Sequence, residues 1–261
     1  MSKDELCLYC CELKHRAGGC SHCGPEALGR EVETHPLFLP PGTVLDGRYH
    51  VGRVLHSGGS GITYLCLDVR LNMRVAIKEY LPLELAGRGS EGTRVTAHPG
   101  GAGQAFRVGV AGFMEEARTL ARFEDHPYIV SVKSIFEENG TAYLVMGYLP
   151  GTTLDRICTA RGRLPEAEAL QVVEAMLDGL RDVHEAGLLH RDIKPENVFV
   201  TDQEQVKLFG FRAAHDAAGQ AEHGLTQVRT PGFAPPEQQT PGETQDVRTD
   251  VYAAGATLYT L

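Results

Sequence analysis

The run HRDIKPEN, residues 190–197, places three chemically different side chains within one short segment. The carboxylate of Asp192 could accept a proton, the ammonium of Lys194 could offset negative charge, and the amide oxygen of Asn197 could bind a metal ion. Transfer of a phosphoryl group needs little else from a protein, because positioning and charge neutralisation supply most of the catalysis. This segment is therefore the first candidate for chemistry in the chain.

A glycine-rich segment, LHSGGSGITY at residues 55–64, lies between two predicted strands. Gly58 and Gly61 would let backbone N–H groups approach phosphate oxygens without obstruction by side chains. A flexible hairpin has the same composition, so this segment alone does not distinguish a phosphate loop from an ordinary turn.

Lys78, at the end of the run VAIK, follows the glycine-rich segment and could pair with phosphate oxygens. Glu116, on the next predicted helix, is the natural ion-pair partner to hold this lysine in place. A Lys–Glu pair taken alone is more often an exposed pair of little energetic consequence. The pair is significant here because of the segments around it.

Five of the seven cysteines lie between residues 7 and 23. Two C-x2-C pairs, Cys7 with Cys10 and Cys20 with Cys23, could surround Zn2+ tetrahedrally in a closed structural site, and we expect such a site to have little effect on nucleotide binding. Disulfides are the alternative, which a reducing compartment disfavours. Three further side chains of ligand type lie in the same stretch: Cys11, His15 and His22.

Composition limits the classes of function. The net charge of -9 argues against general affinity for nucleic acid or anionic membranes. No apolar run approaches the roughly 20 residues that span a bilayer, and the N-terminus lacks the apolar core of a signal peptide. We therefore expect a cytoplasmic protein with no membrane segment in this chain.

Hydrophobic patterns predict a strand-rich half followed by a helix-rich half, which is an α+β fold with two lobes. Residues 81–104 lack periodicity and are predicted to form a long loop. Predicted strands cover residues 49–55, 62–69, 74–80, 129–138 and 141–148, and predicted helices cover 106–123, 152–162 and a longer segment that begins at Pro165. On that last helix one face would carry Leu170, Val173, Leu177, Leu180 and His184.

The domain boundaries follow from the same patterns. We predict a zinc ribbon over residues 1–30, a Pro- and Gly-rich linker over 31–46 and a main domain over 47–261. Within the main domain, the two lobes would cover residues 47–147 and 148–261.

Taken in order, the glycine-rich segment, VAIK and HRDIKPEN resemble the eukaryotic-type protein kinase family, over about residue 43 to the end. The likeness is greatest to bacterial serine/threonine kinases with an N-terminal zinc ribbon. It implies a bilobal kinase fold with a β-rich first lobe and a mainly helical but truncated second lobe. It also implies ATP and Mg2+ as cofactors, and a protein substrate or signalling partner that the sequence does not identify.

The resemblance also implies roles for individual residues. Gly58 and Gly61 would belong to the phosphate loop, with His56 in place of the usual first glycine, and Lys78 would pair with Glu116. The adenine ring would lie under Ala76, near the gatekeeper Met146 and the hinge residue Tyr148. Asp192 would accept the hydroxyl proton of the substrate, Lys194 would stabilise charge and Asn197 would bind magnesium. Three further residues would organise the second lobe: Thr230, Glu237 and Asp250.

One departure from the family pattern lies in the run VKLFGFRAA, residues 206–214. Gly210 stands where the family has the aspartate that binds magnesium, followed by Phe211 and then Arg212. Losing that carboxylate removes the main ligand of the metal that neutralises charge during transfer. The sequence therefore leaves open a weakened serine/threonine kinase, an inactive pseudokinase that binds a partner, and a decaying gene fragment.

A second departure is the end of the chain at Leu261, inside an apolar segment. The helices that follow this segment in the family are not present in the sequence. From this we expect either a shortened gene product or a helix that a partner covers.

Overall fold

The computed structural model describes residues 7, 9–11, 20, 35–59, 61–89, 92–211, 231–240 and 243–261. The predictions for Cys23, Arg212 and Thr230 lie outside these residues. The chain divides into two compact units. The first unit contains residues 1–114 and 132–148, and the second contains residues 115–131 and 149–261. The predicted separation into a strand-rich half and a helix-rich half is found in these units.

The first unit is built on a six-stranded antiparallel sheet in the order β1-β2-β3-β4-β8-β7. Its strands are β1 (Val44–Leu45), β2 (Tyr49–Gly58), β3 (Gly61–Asp68), β4 (Met73–Tyr80), β7 (Val132–Glu138) and β8 (Thr141–Gly147). The turn between β7 and β8 has positive φ at both Asn139 and Gly140, which is the type I′ geometry that these residues predict.

Residues 81–104 correct the prediction of a long loop, because they include the antiparallel hairpin β5 (Ala86–Arg88) and β6 (Val95–Ala97). Strands of three residues are too short to show a period in the sequence. A buried ion pair between Arg88 and Glu79 on β4 fixes the hairpin to the sheet. Glu79 also accepts hydrogen bonds from the hydroxyl groups of Tyr64 (2.9 Å) and Tyr143 (2.7 Å).

The helix α1 (Ala102–Leu120) begins earlier than predicted and is followed by a 3-10 turn at Ala121–Phe123. The predicted apolar face is correct, since Phe113, Ala117 and Leu120 are all buried. Residues of α1 up to Met114 belong to the first unit, and those from Glu115 belong to the second.

The second unit contains the helices α2 (Leu154–Arg161), α3 (Glu166–Glu185), α4 (Pro236–Gln239) and α5 (Val247–Thr260). Its three-stranded sheet has the order β11-β10-β9, formed by β9 (Gly151–Thr153), β10 (Val198–Thr201) and β11 (Val206–Leu208). None of the described helices is both long and apolar enough to cross a membrane.

The predicted face of α3 is partly wrong. Leu170 and Leu177 are 43% and 40% exposed, whereas Met176 and Val183 are fully buried. Val173 and Leu180 belong to both the predicted face and the buried face. The reason is that an i, i+3, i+4 pattern through these two residues can be continued on either side of the helix. The sequence therefore predicted an apolar face on α3 correctly, but the buried face of the helix is turned toward Met176 and Val183.

Candidate active site

One face of the sheet in the first unit carries Lys78. In the β3–β4 register Thr63 lies opposite Lys78 and Leu65 opposite Ala76, and in the β4–β8 register Ala76 lies opposite Met146. Residues opposite each other on neighbouring strands point to the same side of a sheet. We call the surface formed by these five residues the lysine face. The lysine face therefore contains three of the residues predicted to contact nucleotide: Ala76, Lys78 and Met146.

Lys78 is partly exposed, and its Nζ lies 5.7 Å from the centre of the Phe113 ring on α1. Glu116 follows on the same helix, and only 7% of its surface is exposed. Because Glu116 belongs to the second unit, its pairing with Lys78 stays a prediction.

The glycine-rich segment forms the tight connection between β2 and β3, where Gly58 lies opposite Gly61. A Cβ on Gly61 would lie 1.8 Å from the carbonyl oxygen of Glu79, and the residue has φ +149. No other residue fits this approach of β3 to β4. Gly61 is therefore required by packing, independently of any contact with phosphate.

The three candidate residues of the HRDIKPEN run, Asp192, Lys194 and Asn197, form a cluster in the second unit. The Asp192 carboxylate is paired with Lys194 Nζ at 3.2 Å and accepts a hydrogen bond from Asn197 Nδ2 at 2.8 Å. The same Nδ2 also donates to the main-chain oxygen of Asp192 at 2.7 Å. The structure thus brings together the predicted proton acceptor, cation and amide ligand.

A carboxylate from α5 holds the segment that leads into this cluster. Asp250 accepts hydrogen bonds from the backbone N–H groups of His190 (2.8 Å) and Arg191 (2.7 Å). Arg191 has φ 63, so these bonds stabilise a backbone conformation that is uncommon for a residue with a side chain. Asp250 was predicted to organise this lobe, and its position explains how it could do so.

His184 on α3 also lies against Asp250, with its Nε2 2.8 Å from the carboxylate. Burial opposes the charged carboxylate, but the hydrogen bond from His184 and the neighbouring His190 outweigh it, so the pKa of Asp250 lies below its usual value. Sequence analysis placed His184 only on an apolar face. Its partner lies 66 residues further along the chain, so no local pattern could have identified the pair.

His190 is fully buried, and burial lowers the pKa of its imidazole. Its ring lies 4.2 Å from the Phe211 ring, centre to centre, and its Nε2 lies 3.2 Å from the carbonyl oxygen of Phe209. The His190 imidazole therefore links the HRDIKPEN run to the segment that contains Gly210.

Gly210 packs directly on Asn197. A Cβ at this position would lie 2.5 Å from Asn197 Oδ1 and 2.7 Å from its Cγ, and the residue has φ +77. The backbone of Phe209 donates to the main-chain oxygen of Asn197 at 3.2 Å. A side chain at position 210 would thus require the amide of Asn197 to move.

The described N-terminal cysteines form a compact group in the first unit. Cys7, Cys10 and Cys20 are buried, and their sulfur atoms lie within 4.8 Å of one another. The sulfurs of Cys10 and Cys20 are 3.4 Å apart, well beyond the about 2.05 Å of a disulfide bond. Four thiolates at zinc–sulfur distances of about 2.3 Å would be separated by about 3.8 Å, so the donor set fits Zn2+.

Residues 49–261 match the family model described as the protein kinase domain. The chain belongs to this family. Members of the family use ATP and Mg2+ for phosphoryl transfer to proteins. The match agrees with the α+β architecture, and the predicted kinase fold is confirmed by the solved structures that resemble it.

Several bacterial kinases are similar to this chain. Serine/threonine-protein kinase pkn2 of Myxococcus xanthus is 35% identical over 230 residues, which cover 85% of this chain and 25% of that kinase. Serine/threonine-protein kinase PknL of Mycobacterium tuberculosis is 35% identical over 220 residues, which cover 84% and 50%. The chain thus spans between a quarter and a half of these curated relatives.

A solved structure described as the PpkA-294 apo form has 32% sequence identity and a TM-score of 0.74. The likeness covers 86% of this chain and 78% of that one. The protein kinase domain is therefore shown by sequence as well as by fold.

Proposed function

We propose that this kinase-family chain binds ATP and that Gly210 impairs its transfer of phosphate to serine or threonine residues of proteins. The contact between Gly210 and Asn197 carries the proposal. A Cβ at position 210, where the family has its metal-binding aspartate, would meet an amide group that already donates hydrogen bonds to Asp192.

Support for nucleotide binding comes from the lysine face. Ala76 and Lys78 are partly exposed there, and Met146 and Ala76 lie opposite each other on neighbouring strands. We assign the adenine ring to Ala76, Met146 and Tyr148, and the phosphates to Lys78. The assignment of Gly58, Gly61 and Glu116 to the same nucleotide is also part of this proposal.

In the second unit, Asp192 would accept the proton of the attacking hydroxyl group. The ammonium of Lys194, which is paired with this carboxylate, would offset charge on the transferred phosphate. Magnesium prefers six oxygen ligands in near-octahedral geometry. The side chain at position 210 supplies none, so the described cluster does not fit the magnesium site of an active family member.

A pseudokinase that binds a protein partner is the second candidate. The hydrogen bonds of Asn197 favour it, because its Nδ2 is engaged with two oxygens of Asp192 and its Oδ1 faces Gly210. Under this alternative, nucleotide binding would stabilise the domain without chemistry.

We further propose that Zn2+ occupies the cysteine group. Cys7, Cys10 and Cys20 supply three thiolates, and Cys23 is the proposed fourth ligand. A closed site with four cysteines has no open position for a reacting molecule, so its role would be structural.

Two measurements on the purified chain test the proposed function. ATP with and without Mg2+ should raise the melting temperature, and transfer of labelled phosphate to a generic basic protein should be weak. Lys78→Met should remove most of the ATP response, whereas Lys133→Met, at an exposed position on β7, should retain it. Equal ATP responses in all three proteins would contradict nucleotide binding on the lysine face. Rapid transfer by the wild type would contradict the impairment.

A further inference from the structure

Cys11 lies next to the candidate metal ligands but makes a different contact. Its side chain is fully buried, and its Sγ donates a hydrogen bond to the main-chain oxygen of Leu65 at 3.4 Å. It packs with Leu65 and Leu67 of β3 in a small apolar cluster. Three partly buried side chains complete this cluster: Leu55, Val69 and Tyr148. Cys11 therefore attaches residues 7 and 9–11, which we call the N-terminal segment, to the sheet.

The surface that Cys11 covers belongs to the lysine face. Leu65 is one of the residues that define this face, because it lies opposite Ala76 in the β3–β4 register. Leu55 leads into the glycine-rich segment, and Tyr148 is the proposed hinge residue. The cluster that contains Cys11 thus includes residues on both sides of the proposed adenine position.

A second contact fixes the same segment. The guanidinium of Arg53 on β2 lies 5.1 Å from the centre of the Tyr9 ring, which is within the range of a cation–π interaction. The backbone N–H of Cys11 donates to the carbonyl oxygen of Cys7 at 2.8 Å. The turn that presents two candidate metal ligands, Cys7 and Cys10, therefore also positions Cys11.

We propose that a thiophilic divalent cation such as Zn2+, bound by Cys7, Cys10 and Cys20, holds Cys11 on the lysine face and so strengthens nucleotide binding there. The second half of this proposal rests on the proposed function. A cation would fix both ends of the turn that carries Cys11, because Cys7 and Cys10 would be its ligands.

Because Cys11 packs on Leu65, the contact should strengthen nucleotide binding, contrary to the small effect that we expected from the cysteine spacing alone. Leu65 and Leu67 are 1% and 3% exposed, whereas Ala76 and Lys78 remain partly exposed. The described residues 7 and 9–11 thus pack beside the proposed adenine position, while Ala76 and Lys78 stay partly exposed. By linkage, a cation that stabilises the nucleotide-binding form must bind more tightly when nucleotide is present.

Alkylation of cysteines tests the attachment directly, without nucleotide. The full chain is loaded with Zn2+ or stripped with a chelator, treated with iodoacetamide in the folded state and mapped by mass spectrometry. Cys11 should be protected in the loaded protein and labelled in the stripped protein. Cys66, which is fully buried in β3, should stay protected in both and so report that the sheet remains folded. Equal labelling of Cys11 in both states would overturn the proposal.

Nucleotide affinity tests the consequence. After the chelator has been removed, ATP binding is measured for the loaded and stripped forms of wild type, Cys11→Ala and the control Cys158→Ala. Stripping should weaken ATP binding about five-fold or more in the wild type and in the control. Cys11→Ala should still bind the cation, but its ATP affinity should be the same in both forms.

The outcomes separate this inference from the proposed function. ATP affinity that is measurable and independent of the cation in the wild type would overturn the coupling and leave the proposed function intact. If no form bound ATP while Cys11 was labelled only after stripping, the proposed function and the coupling would be overturned. The attachment of Cys11 by the cation would be supported in that case.

Discussion

Gly210 and Asn197 are in such close contact that no side chain fits at position 210 without a change in Asn197. A Cβ would lie 2.5 Å from Asn197 Oδ1, and φ +77 is unfavourable for any residue other than glycine. Restoring the family carboxylate is therefore a structural change as well as a chemical one, and the two effects can be measured separately.

Gly210→Ala should lower the melting temperature and leave phosphate transfer weak, because it adds the steric conflict without a metal ligand. The conflict and the positive φ together should cost about 1–3 kcal/mol. Thermal unfolding of wild type and variant measures this cost. An unchanged melting temperature would mean that Asn197 moves aside freely.

Gly210→Asp combined with Arg212→Gly should raise phosphate transfer on the order of a hundredfold or more, since charge stabilisation by a metal is worth several kcal/mol. The increase should require Mg2+ and should appear despite a loss of stability like that of Gly210→Ala. Transfer assays on folded protein at saturating Mg2+ make the comparison. Wild-type activity that the double change leaves unaltered would show that the aspartate is not what limits the reaction.

The buried pair between Arg88 and Glu79 should be essential for stability. Both side chains are inaccessible to solvent, and burial raises the pKa of Glu79, so losing its partner would leave a buried carboxyl group without its counterion. Arg88→Met should lower the free energy of unfolding by about 3–5 kcal/mol. Arg118→Met, which removes an exposed pair with Glu115, should cost less than about 1 kcal/mol. Urea unfolding of both variants checks this difference.

His190 should make stability depend on pH. Its pKa is lowered by burial, so the unfolded chain binds the proton more readily than the folded chain. Stability should therefore fall as the pH is lowered through about 6.5, the pKa of an unperturbed histidine. His190→Gln should reduce this slope, whereas His98→Gln, at an exposed position, should not. Denaturant unfolding between pH 5 and 8 measures the slopes, and identical slopes in all three proteins would contradict the assignment.

The cysteine group should hold about one zinc ion per chain, as a single tetrahedral site would. Cys7→Ser should remove most of the metal, and Cys158→Ser should leave the content unchanged. Elemental analysis after gel filtration gives both numbers. A wild-type preparation without metal, in which Cys7 and Cys10 nevertheless resist alkylation, would contradict the site.

Local sequence patterns correctly predicted the elements that are stabilised by interactions between residues close together in the chain. The VAIK strand, the Asn139–Gly140 turn and the end of α2 at Gly162 were correct, because alternation and turn chemistry act over a few residues. The segment HRDIKPEN was recognised for the same reason, as its three functional side chains lie within six residues of one another.

Contacts between distant parts of the chain were not predictable in this way. The hairpin β5–β6 depends on the ion pair of Arg88 with Glu79, which no local pattern indicates. The role of Asp250 in positioning the HRDIKPEN run was predicted only from the family resemblance. The contact of Gly210 with Asn197 also requires the fold, although the glycine itself was visible in the sequence. Nothing in the cysteine spacing indicated that Cys11 would pack on β3.

The partners of the buried Glu79 also hold the main chain that precedes β1. Arg88, its partner, donates a hydrogen bond to the main-chain oxygen of Leu37, and Tyr64, which also bonds Glu79, accepts one from the N–H of Leu39 at 3.1 Å. The network around Glu79 thus holds the main chain at Leu37 and Leu39 as well as the β5–β6 hairpin. Loss of this one carboxylate would therefore release two separate parts of the first unit from the sheet.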